Sequence, residues 1–178
     1  MGEVFNGSID YVGGYSYFVT AVFNYPFFFT IRNVWQGGQS MYNIRSTLDA
    51  MKPKFKDLDA LGIFVDNHDN ARFLNGNHNT NRFKNALAFS LTFTGIPFVY
   101  YGDEQGYAGG NDPYCRETLW NDMNENSDLY KFIKTTVTAR KAHKIWNQPH
   151  VERYVDDNFY AFTRGDVFIA TTNTDNTI

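Results

Sequence analysis

The residue pattern of this chain predicts a parallel α/β architecture that gives way to antiparallel β structure near residue 149. Three features carry that reading. Short apolar runs alternate with segments whose apolar residues recur at helical spacing. The run Leu61-Gly62-Ile63-Phe64-Val65 is apolar throughout, as a strand covered on both faces should be. Beyond Pro149 the runs are separated by turn residues rather than by helices.

In chain order, Val19 to Phe23 is the first strand candidate, ended by Asn24-Tyr25-Pro26. A helix follows from about Ser40, with Met41, Ile44, Leu48 and Met51 on one face and Pro53 closing it. The second strand is 61–65, followed by a polar, Asn-rich stretch from Asp66 to Asn81. Phe83, Ala86, Leu87, Ser90 and Leu91 mark the next helix, with Gly95 just past its end. Ile96 to Tyr101 is the third strand, closed by Gly102, and a long loop runs to about Asn126. Asp128 is placed to cap a helix whose stripe is Leu129, Phe132, Ile133, Thr136, Val137 and Arg140. Then 151–155, 159–162 and 167–170 read as strands, joined by the turns Asp156-Asp157-Asn158 and Arg164-Gly165-Asp166. A second domain is therefore expected from about residue 149.

Composition removes several function classes. The chain has 178 residues, a formal charge of −3 and 20% charged residues. That balance argues against wholesale disorder and against a general nucleic-acid binder, which would be strongly basic. Cys115 is the single cysteine, so an internal disulfide framework and a multi-cysteine zinc site are excluded. The longest apolar stretch, Phe18 to Phe29, is broken by Thr20, Asn24 and Pro26, so no membrane partner is expected. The first residues lack the basic and apolar regions of a signal peptide, and Asn6 stands where a myristoylation site wants Ser or Thr.

In parallel α/β proteins chemistry gathers at the carboxyl ends of strands. Those ends hold Asp66-Asn67-His68-Asp69-Asn70-Ala71-Arg72 and Asp103-Glu104-Gln105; Glu3 lies near the N-terminus, and Asp112 and Arg116 lie farther on. With Tyr101, Tyr107 and Trp120 they make a set of carboxylates, amides and aromatic faces suited to a sugar ring. Each member also has a structural reading. His68 could be a loop histidine bound to a neighbouring carboxylate, and Glu3 a solvated charge. Asp112 and Arg116, four apart, could be a surface ion pair worth under about 1 kcal/mol. Asp103-Glu104 could be the solvated start of a loop, and Cys115 an incidental thiol with no activating partner beside it in sequence.

Taken together the strings are far more specific. Phe64-Val65-Asp66-Asn67-His68-Asp69-Asn70 resembles the fourth conserved region of the α-amylase family, glycoside hydrolase family thirteen, and Gly2-Glu3-Val4 resembles its third. Gly95 to Gln105 resembles the last barrel strand and its exit, and Ala21 to Pro26 the sixth strand. Tyr107 to Pro113, with Arg116-Glu117, is similar to the sugar-binding loop of secreted fungal-type members. The matches are collinear and span nearly the whole chain.

The resemblance implies a retaining glycosidase on a (β/α)8 TIM barrel. Such enzymes use two carboxyl groups about 5–5.5 Å apart, one a nucleophile and one an acid/base. Glu3 matches the acid/base. Asp69 matches the carboxylate that grips the sugar hydroxyls and stabilises the oxocarbenium-like transition state, and His68 the imidazole bound to the same sugar. Asp112 and Arg116 match residues that hold a sugar farther toward the non-reducing end. The family's nucleophilic Asp would precede Met1. The resemblance therefore implies the C-terminal half of the barrel over 1–148, from the end of strand five to helix eight, and the start of an antiparallel β-sandwich domain over 149–178.

By the same resemblance the intact protein is a secreted, monomeric α-amylase whose partner is an α-glucan. Calcium is expected for that intact protein, with ligands mostly outside this chain and no metal ligand assigned within it. Residues 1–178 alone are expected to be inactive. Cyclodextrin glucanotransferases and maltogenic amylases share Asn67-His68-Asp69, so either remains an alternative, as does a non-catalytic carbohydrate-binding relative. A His-Asp metal phosphohydrolase is disfavoured, because His78, His143 and His150 offer no ligand spacing.

Overall fold

The computed structural model describes residues 1–175; residues 176–178, the end of the expected second domain, lie outside the described residues. Its centre is a parallel array in chain order. Gly2 bridges Val22, Phe23 bridges Gly62, and β1 (Gly62–Phe64) pairs in parallel with β2 (Ile96–Phe98), Gly62 opposite Ile96. Backbone bonds tie these pieces: Gly2 N–H donates to the Ala21 carbonyl at 2.8 Å, Gly62 N–H to Val22 at 3.0 Å, and Ile96 N–H to Leu61 at 2.8 Å. Gly62 has a packing reason: a Cβ there would stand 2.8 Å from the Phe23 ring and 2.9 Å from the Met1 sulfur.

The strand expected over 19–23 is thus reduced to the bridging residues Val22 and Phe23. The chain arrives from α1 (Ile9–Tyr15), whose N-cap is Ser8, and turns through residues 16–20. Asn24 then starts α2 (Tyr25–Ile31) at once, its side chain accepting from the Phe27 N–H at 3.1 Å, with Pro26 in the first turn. Neither helix was expected. A cap residue followed by proline is the signal that was available at Asn24. A π-helical turn, Arg32–Gln36, continues α2.

The remaining helices follow their apolar stripes: α3 (Tyr42–Met51), α4 (Thr80–Thr92) and α5 (Asp128–Ala142). The cap of α5 is Ser127, which accepts from Tyr130 N–H at 3.1 Å; Asp128 is the first helical residue and not the cap. A serine hydroxyl satisfies the orphan N–H, and Asp128 complements the positive helix end beside it.

An antiparallel sheet, β3-β4-β5, closes the chain (His150–Val155, Phe159–Arg164, Val167–Thr172). Arg164, expected in a turn, ends β4 instead and is buried. Its Nε donates to the Ile145 carbonyl and its Nη1 to Thr94 Oγ1, both at 3.1 Å, which fastens the sheet to the turns after α5 and α4. Phe89 of α4 and Phe93 just past its end belong to one apolar cluster with Tyr160 and Phe162 of β4, so the core runs continuously across residue 149.

Candidate functional site

The carboxyl ends of the parallel pieces bring the expected groups together. Glu3 follows the Gly2 bridge, and Asn67-His68-Asp69 follows β1 after Val65 and Asp66. Asn67 shapes its own turn: its Oδ1 accepts from the N–H of Asp69 at 3.2 Å and of Asn70 at 3.1 Å. Its Nδ2 donates to the Tyr25 hydroxyl at 2.9 Å, and that hydroxyl donates to Glu3 Oε1 at 2.6 Å. Glu3, Asn67 and His68 line one cavity of about 170 Å³ with Phe23, Phe64 and Phe98.

Asp69 belongs to a second set of contacts. His68 Nε2 lies 3.4 Å from Asp69 Oδ1, and Arg116 Nη2 lies 3.5 Å from the same oxygen. Arg116 Nε pairs with Asp112 at 2.7 Å and donates to the His68 carbonyl at 3.1 Å, where the Cys115 thiol also donates at 3.1 Å. All five expected site residues therefore sit in one connected region. His68, Asp69, Asp112 and Arg116 keep 41–52% of their side chains exposed, so their mutual pairing adds little to stability and leaves them open to a ligand. The surface-pair reading of Asp112 and Arg116 is geometrically correct, and the same Arg116 also reaches Asp69.

Beneath the site lies an ion network that composition did not announce. Arg32, the first residue of the π-turn, donates to Asp66 Oδ1 and to the Ala71 carbonyl, each at 2.5 Å. Asp66 also accepts the Phe73 N–H on both oxygens. Arg72 meets Asp103 at 3.3 Å and Glu117 at 3.1 Å, and lies over the Tyr100 ring at 4.1 Å. Asp103 is buried, so its reading as the solvated start of a loop is overturned. Burial pushes its carboxyl well above the usual range, and the neighbouring Asp66 charge adds to this. Gly102, just before it, takes φ +88°, a conformation that favours glycine, with the Tyr107 ring against it.

The side chains in contact with this site that the sequence did not single out are Tyr25 and Arg32. Each lies on or just past α2, and recognising that helix from Asn24 and Pro26 would have placed both beside the strand ends. Among the described residues no group of three or more His, Cys, Asp or Glu side chains could hold a metal ion.

A parallel array with acidic side chains at its carboxyl edge and helices behind it is the plan of an α/β-barrel enzyme. A family model described as the α-amylase catalytic domain matches residues 1–163. The chain is 40% identical over 173 residues to a β/α-amylase of Paenibacillus polymyxa, covering 92% of this chain and 14% of that protein. It is 35% identical to α-amylase 1 of Lipomyces kononenkoae, covering 91% of this chain and 25% of that one. The solved structure of an α-amylase from Malbranchea cinnamomea superposes with a TM-score of 0.92 at 33% identity, over 97% of this chain and 38% of the other. A cyclomaltodextrin glucanotransferase superposes with a TM-score of 0.82 at 30% identity, over 92% of this chain and 35% of the other. The chain belongs to the α-amylase family and has that family's TIM-barrel fold, with an antiparallel sheet attached. It spans well under half the length of each of these relatives.

Proposed function

We propose that residues 1–148 are the second half of the barrel of a retaining α-amylase, and that residues 149–178 begin its C-terminal β domain. The complete protein would hydrolyse internal α-1,4 bonds of starch- or glycogen-type glucans. The observation that carries this reading is the delivery of Glu3 and Asn67-His68-Asp69 to one edge by the two parallel segments that flank Val22-Phe23, joined through Tyr25.

On this reading Glu3 first protonates the leaving glucosyl oxygen and later takes a proton from the attacking water. A carboxylate nucleophile from outside residues 1–178 takes the anomeric carbon. Asp69 and His68 bind the hydroxyls of the sugar at the cleavage point and stabilise positive charge on its ring. Asp112 and Arg116 hold the glucan farther along. Glu3→Gln should lower starch hydrolysis by the complete protein about 10²–10⁴-fold, the worth of general acid catalysis. Unchanged activity would overturn the assignment.

The proposal extends to a secreted protein acting alone on its glucan. Any calcium in the complete protein would be held by ligands that lie mostly outside this chain, and no step is routed through it. Transglycosylation to cyclic products is the second reading, favoured by the likeness to the glucanotransferase. Chromatography of the products from soluble starch separates the two: linear oligosaccharides support the amylase, cyclic ones the transferase.

A further inference from the structure

We propose that Tyr25 is a positioning residue for Glu3, holding Oε1 through its hydroxyl so that Oε2 is the oxygen that exchanges the proton with the glucan. The inference rests on the reading of Glu3 as the acid/base. Three observations support it.

The direction of the relay is fixed. Asn67 Oδ1 already accepts the N–H groups of Asp69 and Asn70 and the side-chain amide of Asn70, so only its Nδ2 remains to face Tyr25. The Tyr25 oxygen therefore accepts from Asn67, and its one proton points to Glu3 Oε1 at 2.6 Å.

The ring is held where it is. Tyr25 is fully buried, with Phe5 edge-on at 4.8 Å, Phe64 at 5.3 Å and Phe28 at 5.7 Å. Burial, then the hydrogen bond and charge of Glu3, raise the pKa of the phenol well above its ordinary value, so it stays a donor at working pH.

The chemistry follows from the acceptor count. In the first step the Oε2–H bond breaks and the proton joins the leaving oxygen. That oxygen keeps the electron pair of its broken bond to the anomeric carbon, which the carboxylate nucleophile takes. Glu3 becomes a carboxylate, and the charge-assisted bond from Tyr25 strengthens as it does so. Tyr25 keeps its own proton throughout. The other ionisable groups around this point are Asp66, His68 and Tyr100 in the shared cavity and Asp69 beside it; none makes a hydrogen bond to Glu3.

The test uses the complete protein carrying this chain. Tyr25→Phe removes only the hydroxyl and leaves the aromatic packing. We expect kcat to fall about tenfold with KM within about twofold. The basic limb of the kcat/KM profile should move up by about one pH unit, because the carboxylate form has lost a donor. Tyr25→3-fluorotyrosine, with a more acidic hydroxyl and nearly the same shape, should move that limb to lower pH. An unshifted limb in both variants overturns the proposal, whether or not Tyr25→Phe is less stable. Glu3→Gln separates the two levels. If it retains wild-type activity, the acid/base reading itself falls. If it is inactive while both Tyr25 variants keep the wild-type profile, only the role of Tyr25 falls.

Discussion

Arg72 and Asp103 meet at 3.3 Å with side chains 0% and 2% exposed, directly under the loop that carries His68 and Asp69. Two arginines, Arg32 and Arg72, face Asp66, Asp103 and Glu117 in this layer. Full ionisation would leave one negative charge in excess in a layer that is buried except at Glu117, whose side chain is 27% exposed. Neutralising Asp103 removes the excess, in line with its carboxyl being raised by burial and by the neighbouring Asp66 charge. Asp103→Asn should therefore cost only about 1–2 kcal/mol. Asp66→Asn strands the Arg32 guanidinium and should cost about 3–5 kcal/mol. Urea unfolding of the two variants measures the order, and the reverse order would refute the shared-charge account.

His150 makes the attached sheet sensitive to acid. Its ring stacks on Phe162 at 4.7 Å and its Nε2 meets the Tyr160 hydroxyl at 2.9 Å, while Nδ1 is buried without a partner. Burial, aided by Arg164 and Lys52, pushes its pKa from 6.5 down to about 4. A folded-state value below the unfolded one means that stability is fully present above pH 6.5 and drains away as pH falls toward 4. The loss approaches about 1.4 kcal/mol per pH unit in that window. His150→Phe should flatten the fall between pH 6.5 and 4.5 in chemical denaturation. An unchanged slope would show that His150 titrates normally.

The strand ends and their motif were legible because period and composition mark them: the apolar run before Asp66 is β1, and Asn67-His68-Asp69 follows it. The stripes of α3, α4 and α5 were legible for the same reason. What escaped is the short α2, whose apolar face on all sides hid its period; Tyr25, Pro26, Phe27 and Phe28 are all buried. With α2 went Tyr25 and Arg32. The burial of Asp103 escaped because its partner Arg72 lies 31 residues away, and no local pattern joins them.

The parallel array leaves apolar side chains uncovered at both of its edges. Met1 stands 54% exposed at one, and Ile96 45% and Phe98 40% at the other. Unpaired edges flanked by apolar surface favour self-association. Purified residues 1–178 should be inactive on starch and should sediment as oligomers or aggregates at micromolar concentration. A monodisperse monomer in analytical ultracentrifugation would count against this, and robust hydrolysis would refute it.

Arg116 is the residue where charge and geometry are most separable. Its Nε stands 2.7 Å from Asp112 and 3.1 Å from the His68 carbonyl, and its Nη2 lies 3.5 Å from Asp69, so two nitrogens of one planar group bridge the two carboxylates. Lysine keeps the charge and loses the fork. Stability should change by under about 1 kcal/mol in Arg116→Lys, because the side chain is half exposed and its ion pairs are screened. Glucan binding should suffer more, since Asp112 and Asp69 would no longer be held at a fixed separation. We expect KM for long maltooligosaccharides to rise about tenfold, with a smaller effect on short ones that do not reach Asp112. Steady-state kinetics over a chain-length series measures this. An equal loss at every length would place the role of Arg116 at Asp69 and His68 rather than along the glucan.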